Sequence, residues 1–319
     1  MTTITKQMRS TFLVILLLSL ATTPLLAKPK GGGGGAAAAA AAADHANKAV
    51  QALQQKQFDV AVAEFTAAIA AAPKDARMYA NRAVALRAIQ GRLLESLADC
   101  SKAIELDPKN YFGYMERSQT EMLMLQWDAA LADANKVVEL KPDEPNGYKF
   151  RAFAYAGQYQ WDKAIADLST AIEKKPDDIQ SYARRGECYS KLKQYDQAIA
   201  DFTTILTKDP NNTDALVKRG YTYAQKEDYE KAIADYEAAL KINPNDDPTV
   251  SRLQYARGML ANKNAPPPTA TPEPTPAPAG LITPLNIGIF LAVILILAVV
   301  VKVVTRGKPE TPSSSTRIR

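Results

Sequence analysis

The sequence predicts an all-α solenoid, and two periodic patterns indicate it. Five prolines are each 34 residues apart, and a sixth precedes them by 35 residues: Pro73, Pro108, Pro142, Pro176, Pro210 and Pro244. Between consecutive prolines, apolar residues recur three and four positions apart, which is the spacing of amphipathic helices. Because proline lacks an N–H group and disfavours helix at the residue before it, it separates one unit from the next. Each period therefore predicts one helical hairpin that buries its apolar face by stacking on its neighbours.

The unit at residues 145–178 illustrates how each hairpin is predicted. Its first helix carries one stripe of Tyr148, Arg151, Ala152 and Tyr155, and its second helix carries Ala164, Ile165, Leu168, Ala171 and Ile172. Gly157 falls between the two stripes and is expected in the turn. Lys175 and Pro176 end the second helix.

The order of large, small and aromatic residues resembles the tetratricopeptide repeat (TPR) family. The residues that carry the resemblance are Tyr182, Gly186, Tyr189, Ala198, Phe202 and Pro210 in one unit, and Leu216, Gly220, Tyr223, Ala232, Tyr236 and Pro244 in the next. The same frame predicts six hairpins, at 42–75, 76–110, 111–144, 145–178, 179–212 and 213–246. The third unit departs from the pattern at Glu121 and Ala134, where aromatic residues are expected, and the second carries an extra residue near Gly91. An amphipathic segment at 247–263 predicts a helix that caps the last hairpin.

The segments outside the repeats predict a location for the chain. Residues 1–27 have a basic start, an apolar run and a small residue at Ala27, as in a secretory signal peptide, with an uncleaved anchor as the alternative. A Gly/Ala-rich linker is expected at 28–41 and a Pro/Thr-rich linker at 264–284. Leu285 to Val304 is long and apolar enough to predict a single transmembrane helix.

Flanking charge predicts the orientation of that span. The tail at 305–319 is basic, whereas residues 265–284 contain no Lys or Arg. By the positive-inside rule the tail is expected in the cytoplasm and the repeats outside it, most simply on the periplasmic side of a bacterial membrane.

Composition and motifs argue against several classes of function. The net charge of +5 is small for 319 residues and favours no nucleic-acid partner. His45 is the only histidine, and no phosphate-binding loop or metal-binding motif occurs, so we expect no catalysis, cofactor, metal site or small-molecule substrate. His45 stands where other units carry tyrosine, which favours a packing role. Cys100 and Cys188 lie more than two repeats apart, too far for a disulfide, and are expected to be buried thiols.

Opposite charges also recur in phase with the hairpins. Arginine recurs in the first helix of five units and aspartate in the second: Arg82, Arg117, Arg151, Arg185 and Arg219, and Asp99, Asp133, Asp167, Asp201 and Asp235. Lys48 and Glu64 stand at these positions in the first unit. The series predicts a ladder of ion pairs, and the alternative is a stripe that binds an anionic ligand.

The resemblance implies a concave surface, lined by the first helices, that binds protein or peptide segments. The candidate residues by register are Asn81, Val84, Met115, Gln119, Met122, Lys149, Phe153, Arg184, Glu187, Lys218 and Tyr221. The chaperone-tail version of the family grips a terminal carboxylate; Asn81 matches it, but Phe112 and Glu116 stand where basic residues are needed. The predicted function is a membrane-anchored interaction scaffold. The alternatives are an accessory subunit of an envelope enzyme or secretion complex, and a spacer without a ligand.

Overall fold

A computed structural model describes residues 34–265, 292 and 294–297 of the chain. Within residues 34–265 it contains thirteen α-helices joined by short turns. They are α1 (Gly34–Gln54), α2 (Phe58–Ala71), α3 (Ala76–Ala88), α4 (Leu93–Leu106), α5 (Tyr111–Leu123), α6 (Trp127–Leu140), α7 (Pro145–Gly157), α8 (Trp161–Lys174), α9 (Ile179–Lys191), α10 (Tyr195–Lys208), α11 (Thr213–Gln225), α12 (Tyr229–Ile242) and α13 (Asp247–Asn264).

The helices stack in chain order. Each even-numbered helix from α2 to α10 packs between the odd-numbered helices before and after it, and α12 packs against α11. The odd-numbered helices α3, α5, α7, α9 and α11 also contact one another in succession. Because these helices approach each other across neighbouring hairpins, they form the inner, concave side of the solenoid, and the even-numbered helices form the outer side.

Polar side chains cap the first turns of three inner helices. Asp75, Asn110 and Glu144 each accept a hydrogen bond from the backbone N–H two residues further on, at the start of α3, α5 and α7. Pro145 follows Glu144 at the first helical position, where its missing N–H costs no hydrogen bond. These caps place the starts of α3, α5 and α7 immediately after proline-containing turns.

Left-handed residues set the turn inside each hairpin. Lys56, Leu125, Tyr159, Lys193 and Glu227 have φ between 59° and 63°, and Gly91 has φ of 86° in the turn with the extra residue. The residue after each of the five non-glycine positions donates back to the helix that has just ended, as Gln160 N does to Tyr155 O at 2.9 Å. This is the Schellman arrangement, which satisfies carbonyl groups at a helix end.

Gly157 lies in a helix instead of the turn predicted for it. It is the last residue of α7, and a Cβ there would lie 2.4 Å from Trp127 Cε3. The missing side chain therefore makes room for the Trp127 ring, and Tyr159 makes the turn. The alanine tract also belongs to a helix, since α1 begins at Gly34 within the predicted linker.

Helix α13 covers the end of the last hairpin. Leu253 and Ala256 are buried against Tyr229, Ala232 and Tyr236 of α12. Most other positions of α13 are exposed, so this helix covers the apolar end of the last hairpin.

The structure overturns the predicted membrane topology. Among the residues that the structure describes, no helix is both long and apolar enough to cross a membrane. Both of the described helices with at least 18 residues contain polar and charged residues, including Asp44 and Lys48 in α1 and Arg252 and Arg257 in α13. The expectation of a single-pass membrane protein with periplasmic repeats and a cytoplasmic tail was therefore wrong.

Several predicted segments lie mostly or wholly outside the described residues. The predicted signal peptide at 1–27 and the tail at 305–319 lie entirely outside them. Of the linker at 264–284 only 264 and 265 are described, and of the predicted span at 285–304 only 292 and 294–297.

Candidate protein-binding surface

The periodic arginines join the helices of consecutive hairpins. Arg185 is representative: Nε and Nη2 donate to the two carboxylate oxygens of Asp201 at 2.9 and 2.8 Å, and Nη1 donates to Ser169 Oγ at 2.9 Å. The same three-way contact links the other four arginines to their aspartates and to the preceding outer helix, through Thr66, Ser101, Asn135 and Thr203. Because all three guanidinium nitrogens have protein partners, the series acts as a structural ladder and does not form an anion-binding stripe.

The first hairpin departs from this ladder. Glu64 Oε2 lies 2.7 Å from His45 Nδ1, while Lys48 pairs with Asp44 at 2.8 Å. His45 therefore takes the place in the pair that the register assigned to Lys48. The half-buried His45–Glu64 contact ties α1 to α2.

Most of the N-terminal candidates for the concave surface are buried. Asn81 donates to its own helix at Arg77 O, and Met115 and Met122 belong to the main core cluster. Gln119 is 1% exposed and donates to Glu116, while Val84 is half-buried and packs against two core clusters. These side chains hold the first helices together and leave little surface for a ligand.

A buried ion pair that sequence reasoning missed closes this part of the groove. Arg87 Nη1 of α3 donates to Glu116 Oε2 of α5, and both side chains are buried. The sequence does contain an indication of this pair, because Glu116 stands where other units carry Asn81, Phe150, Arg184 and Lys218. An acidic residue in that row required a cation nearby, because an unpaired buried charge is costly.

The middle of the inner surface is also filled by its own contacts. Lys149 is 4% exposed, and its Nζ lies 3.2 Å from Asp178 Oδ2 at the start of α9. Phe153 is buried against Phe150, with the Arg184 guanidinium 5.0 Å above its ring. Lys149 and Phe153 therefore act as links between α7 and α9.

The four C-terminal candidates lie together on α9 and α11. Glu187 bridges two cations, with Oε2 2.7 Å from Arg184 Nη1 and Oε1 2.7 Å from Lys218 Nζ. Burial opposes ionisation of Glu187, but Arg184 and Lys218 outweigh it and lower the pKa of the carboxyl. Lys218 also pairs with Asp214 at 2.5 Å, and despite burial its two carboxylate neighbours raise its pKa.

Tyr221 completes this cluster and is its most accessible member. It is 47% exposed, whereas Arg184, Glu187 and Lys218 are half-buried. Charged groups held in place by one another, next to an exposed aromatic ring, form a rigid surface with polar and apolar contact area. Such a surface suits a protein segment, since aromatic rings bury a large area at little entropic cost.

The thiols and carboxylates give no site of another kind among the described residues. Cys100 and Cys188 are buried and free, and burial raises the pKa of Cys188 to about 12, which keeps this thiol protonated. Burial also raises the pKa of Cys100. In the described part of the chain, no three His, Cys, Asp or Glu side chains come together as a metal site.

Comparisons with known proteins identify the type of repeat. Two tetratricopeptide repeat models match, one over residues 47–111 and the other over 179–212 and 213–246.

Curated relatives match this chain over short stretches. The Hsp70-Hsp90 organizing protein of Triticum aestivum is 32% identical over 87 residues, which are 27% of this chain and 15% of that protein. The Protein SGT1 homolog of Oryza sativa subsp. japonica is 39% identical over 75 residues, 24% of this chain and 20% of that protein. The matched stretch thus spans a fifth or less of these two relatives.

Solved structures share the helical stack. Pseudomonas aeruginosa PilF superposes with a TM-score of 0.60 at 12% identity, over 70% of this chain and 99% of that chain. A tetratricopeptide repeat protein of Parabacteroides merdae gives a TM-score of 0.53 at 18% identity, over 68% of this chain and 84% of that chain. At these identities the similarity concerns the fold alone.

Proposed function

We propose that the helical region of this chain, which matches tetratricopeptide repeat models over residues 47–111 and 179–246, is an interaction scaffold that binds an extended segment of a partner protein at the C-terminal end of its concave surface. The observation that carries the proposal is the gradient of exposure along the inner helices. Candidates on α3, α5 and α7 are buried or packed, whereas those on α9 and α11 end at the exposed Tyr221. The binding residues in this proposal are Arg184, Glu187, Lys218 and Tyr221.

The relatives support a protein as the partner. Hsp70-Hsp90 organizing protein is named for the proteins that it organizes, and its similarity to this chain lies within a stretch of 87 residues. The division into six hairpins, a capping helix and two linkers is part of this proposal.

Peptide selection tests the function directly. Peptides from a random displayed library are selected on the intact chain, and their affinities are measured for the wild type and for Tyr221→Ala. We expect Tyr221→Ala to weaken binding about tenfold, because a central aromatic contact contributes much of the affinity of such an interface.

Tyr159→Ala is the matched control for this experiment. Tyr159 is 71% exposed but lies in the turn between α7 and α8, away from the inner helices. We expect it to leave peptide affinity unchanged. Equal losses in the two variants, or no selected peptide at all, would contradict the proposed function.

A further inference from the structure

We propose that the last interval of the concave surface, between α11 and α13, binds a carboxylate side chain of an acidic segment, which completes a row of charges that the protein leaves unfinished. This inference rests on the proposed function and names the chemistry of the segment. The residues concerned are Lys218, Tyr221, Tyr236 and Arg252.

The row of charges follows the repeat. Arg184, Lys218 and Arg252 stand at equivalent positions, 34 residues apart, on α9, α11 and α13. Between the first two, Glu187 contacts both cations at 2.7 Å. Thirty-four residues after Glu187 stands Tyr221. The carboxylate that would bridge Lys218 and Arg252 is therefore replaced by a tyrosine.

Among the described residues, Arg252 lacks the carboxylate partner that Arg184 and Lys218 have. Its side chain is half-buried, and among the described residues no carboxylate oxygen lies within 4.0 Å of its guanidinium nitrogens, although Arg184 and Lys218 both have one. A half-buried cation without an acceptor favours the binding of an anion, because its desolvation is not compensated within the protein.

Tyr236 adds a donor at the same place. It is 1% exposed, and its ring edge passes Gly220, where a Cβ would lie 2.9 Å from Tyr236 Cε1. The groups whose charges reach its hydroxyl are Arg252, Tyr221 and Asp235, and the hydroxyl has no hydrogen-bond partner in the described part of the chain. The hydroxyl is not among the fully enclosed side-chain atoms that lack a partner in the described residues, so it reaches the surface and is open to an acceptor from outside the chain.

The hydroxyl at this position is particular to the last hairpin. The equivalent residues of the other five units are Phe65, Cys100, Ala134, Leu168 and Phe202. Packing alone therefore does not require an oxygen at this depth. This donor appears in the hairpin that follows the Arg184–Glu187–Lys218 cluster, where Tyr221 stands in place of the carboxylate.

These features together select a carboxylate as the ligand group. An anion between Lys218 and Arg252 would accept from the guanidinium and from the Tyr236 hydroxyl, with Tyr221 beside it to contact a neighbouring apolar side chain. One uncompensated cation balances the single charge of a carboxylate, whereas a phosphate carries nearly two charges. The expected partner segment thus has an Asp or Glu next to an apolar or aromatic residue.

An unfolding experiment without ligand tests whether a carboxylate is favourable between Lys218 and Arg252. Tyr221→Glu places a carboxylate on the protein itself, and Tyr221→Gln is its isosteric control. We expect Tyr221→Glu to unfold about 2 °C higher than Tyr221→Gln, and this difference to vanish when Arg252→Ala is added. Equal midpoints for the two variants would overturn the inference whatever the peptide selection finds.

A binding experiment tests the Tyr236 hydroxyl as the donor and Arg252 as the cation. Peptides of ten residues with blocked ends, which removes the terminal carboxylate, are compared with Glu, Gln or phosphoserine at a fixed position. We expect the Glu peptides to bind about tenfold more tightly than the Gln peptides, and Arg252→Ala or Tyr236→Phe to abolish that preference. Arg257→Ala and Tyr229→Phe, on the same two helices, should preserve it.

The outcomes separate this inference from the proposed function. If peptides bind and lose affinity in Tyr221→Ala but show no preference for Glu, the function stands and the inference fails. If Tyr221→Glu stabilises the chain but no peptide binds, the row of charges is real and the proposed function fails. Tighter binding of phosphoserine than of Glu would overturn the choice of a carboxylate.

Discussion

At the scale of single residues, Glu121 shows how a break in the repeat changes the local chemistry. It stands where other hairpins carry Tyr155, Tyr189 and Tyr223, and it is 7% exposed. Burial and the neighbouring Asp133 raise the pKa of Glu121 to about 7, although Arg117 opposes this shift. Its Oε2 has no hydrogen-bond partner among the described residues. The folded chain therefore holds a proton here that the unfolded chain releases at lower pH.

Glu121→Gln is expected to stabilise the protein at high pH and not at low pH. Because the pKa is raised in the folded state, wild-type stability falls as pH rises from the ordinary value of 4.5 to about 7 and stays reduced above it. The neutral amide avoids this loss and keeps a donor for Asp133. Urea unfolding should give near-equal free energies at pH 4.5 and a gain on the order of 1 kcal/mol for the variant at pH 8, after allowance for solvent screening.

Glu173→Gln provides the control, since Glu173 is exposed on α8. It should leave the pH dependence of unfolding unchanged. If Glu121→Gln and wild type keep a constant difference between pH 4.5 and 8, the Glu121 carboxyl does not titrate in this range and the prediction is wrong.

At the scale of helices, the arginine ladder connects each hairpin to the one before it. Arg185 joins α9 to α10 through Asp201 and to α8 through Ser169, and it lies over the rings of Tyr182 and Tyr189. Burial raises the pKa of Asp201 even in the presence of Arg185. The aspartate thus depends on its partner to remain charged.

Arg185→Ala should lower the free energy of unfolding by about 3 kcal/mol, because it leaves a buried carboxylate without its cation. Adding Asp201→Asn should restore part of the loss, which a double-mutant cycle measures as coupling. Arg257→Ala removes an exposed pair with Glu237 and is expected to cost less than about 1 kcal/mol. An unchanged unfolding midpoint for Arg185→Ala would refute the structural role of the ladder.

The sequence predicted the helices better than the surface that they present. Proline spacing and apolar periodicity are local, and they predicted the all-α stack, which the structure and its relatives confirm. The phase of Arg185 and Asp201 likewise indicated their ion pair. Burial of Gln119 and Lys149 depends on how closely neighbouring inner helices approach, and a single helix pattern carries no information about that distance. That Arg252 has no carboxylate partner among the described residues depends on how three helices are placed, which the sequence alone does not give.

At the scale of the molecule, the free energy of unfolding of a solenoid is approximately the sum of the intrinsic stabilities of its hairpins and of the contacts between neighbouring hairpins. Helix α13 contributes to this sum only at one end, where Leu253 is buried against α12. Disturbing this contact should therefore loosen the last hairpin and leave distant ones intact. The arginine ladder does not change this expectation, because each arginine contacts only the outer helices immediately before and after its own helix.

Leu253→Asp tests whether disturbing the α12–α13 contact loosens only the last hairpin. A charge in the α12–α13 interface has no partner there, so we expect backbone amides of α11, α12 and α13 to exchange hydrogen at least about tenfold faster, while those of α3 to α8 keep wild-type rates. Hydrogen exchange followed by mass spectrometry gives the rates helix by helix. Gln254→Asp, at the exposed neighbouring position, should leave every helix unchanged. Faster exchange spread evenly from α3 to α13 would mean that the solenoid opens as one cooperative unit, against the nearest-neighbour account.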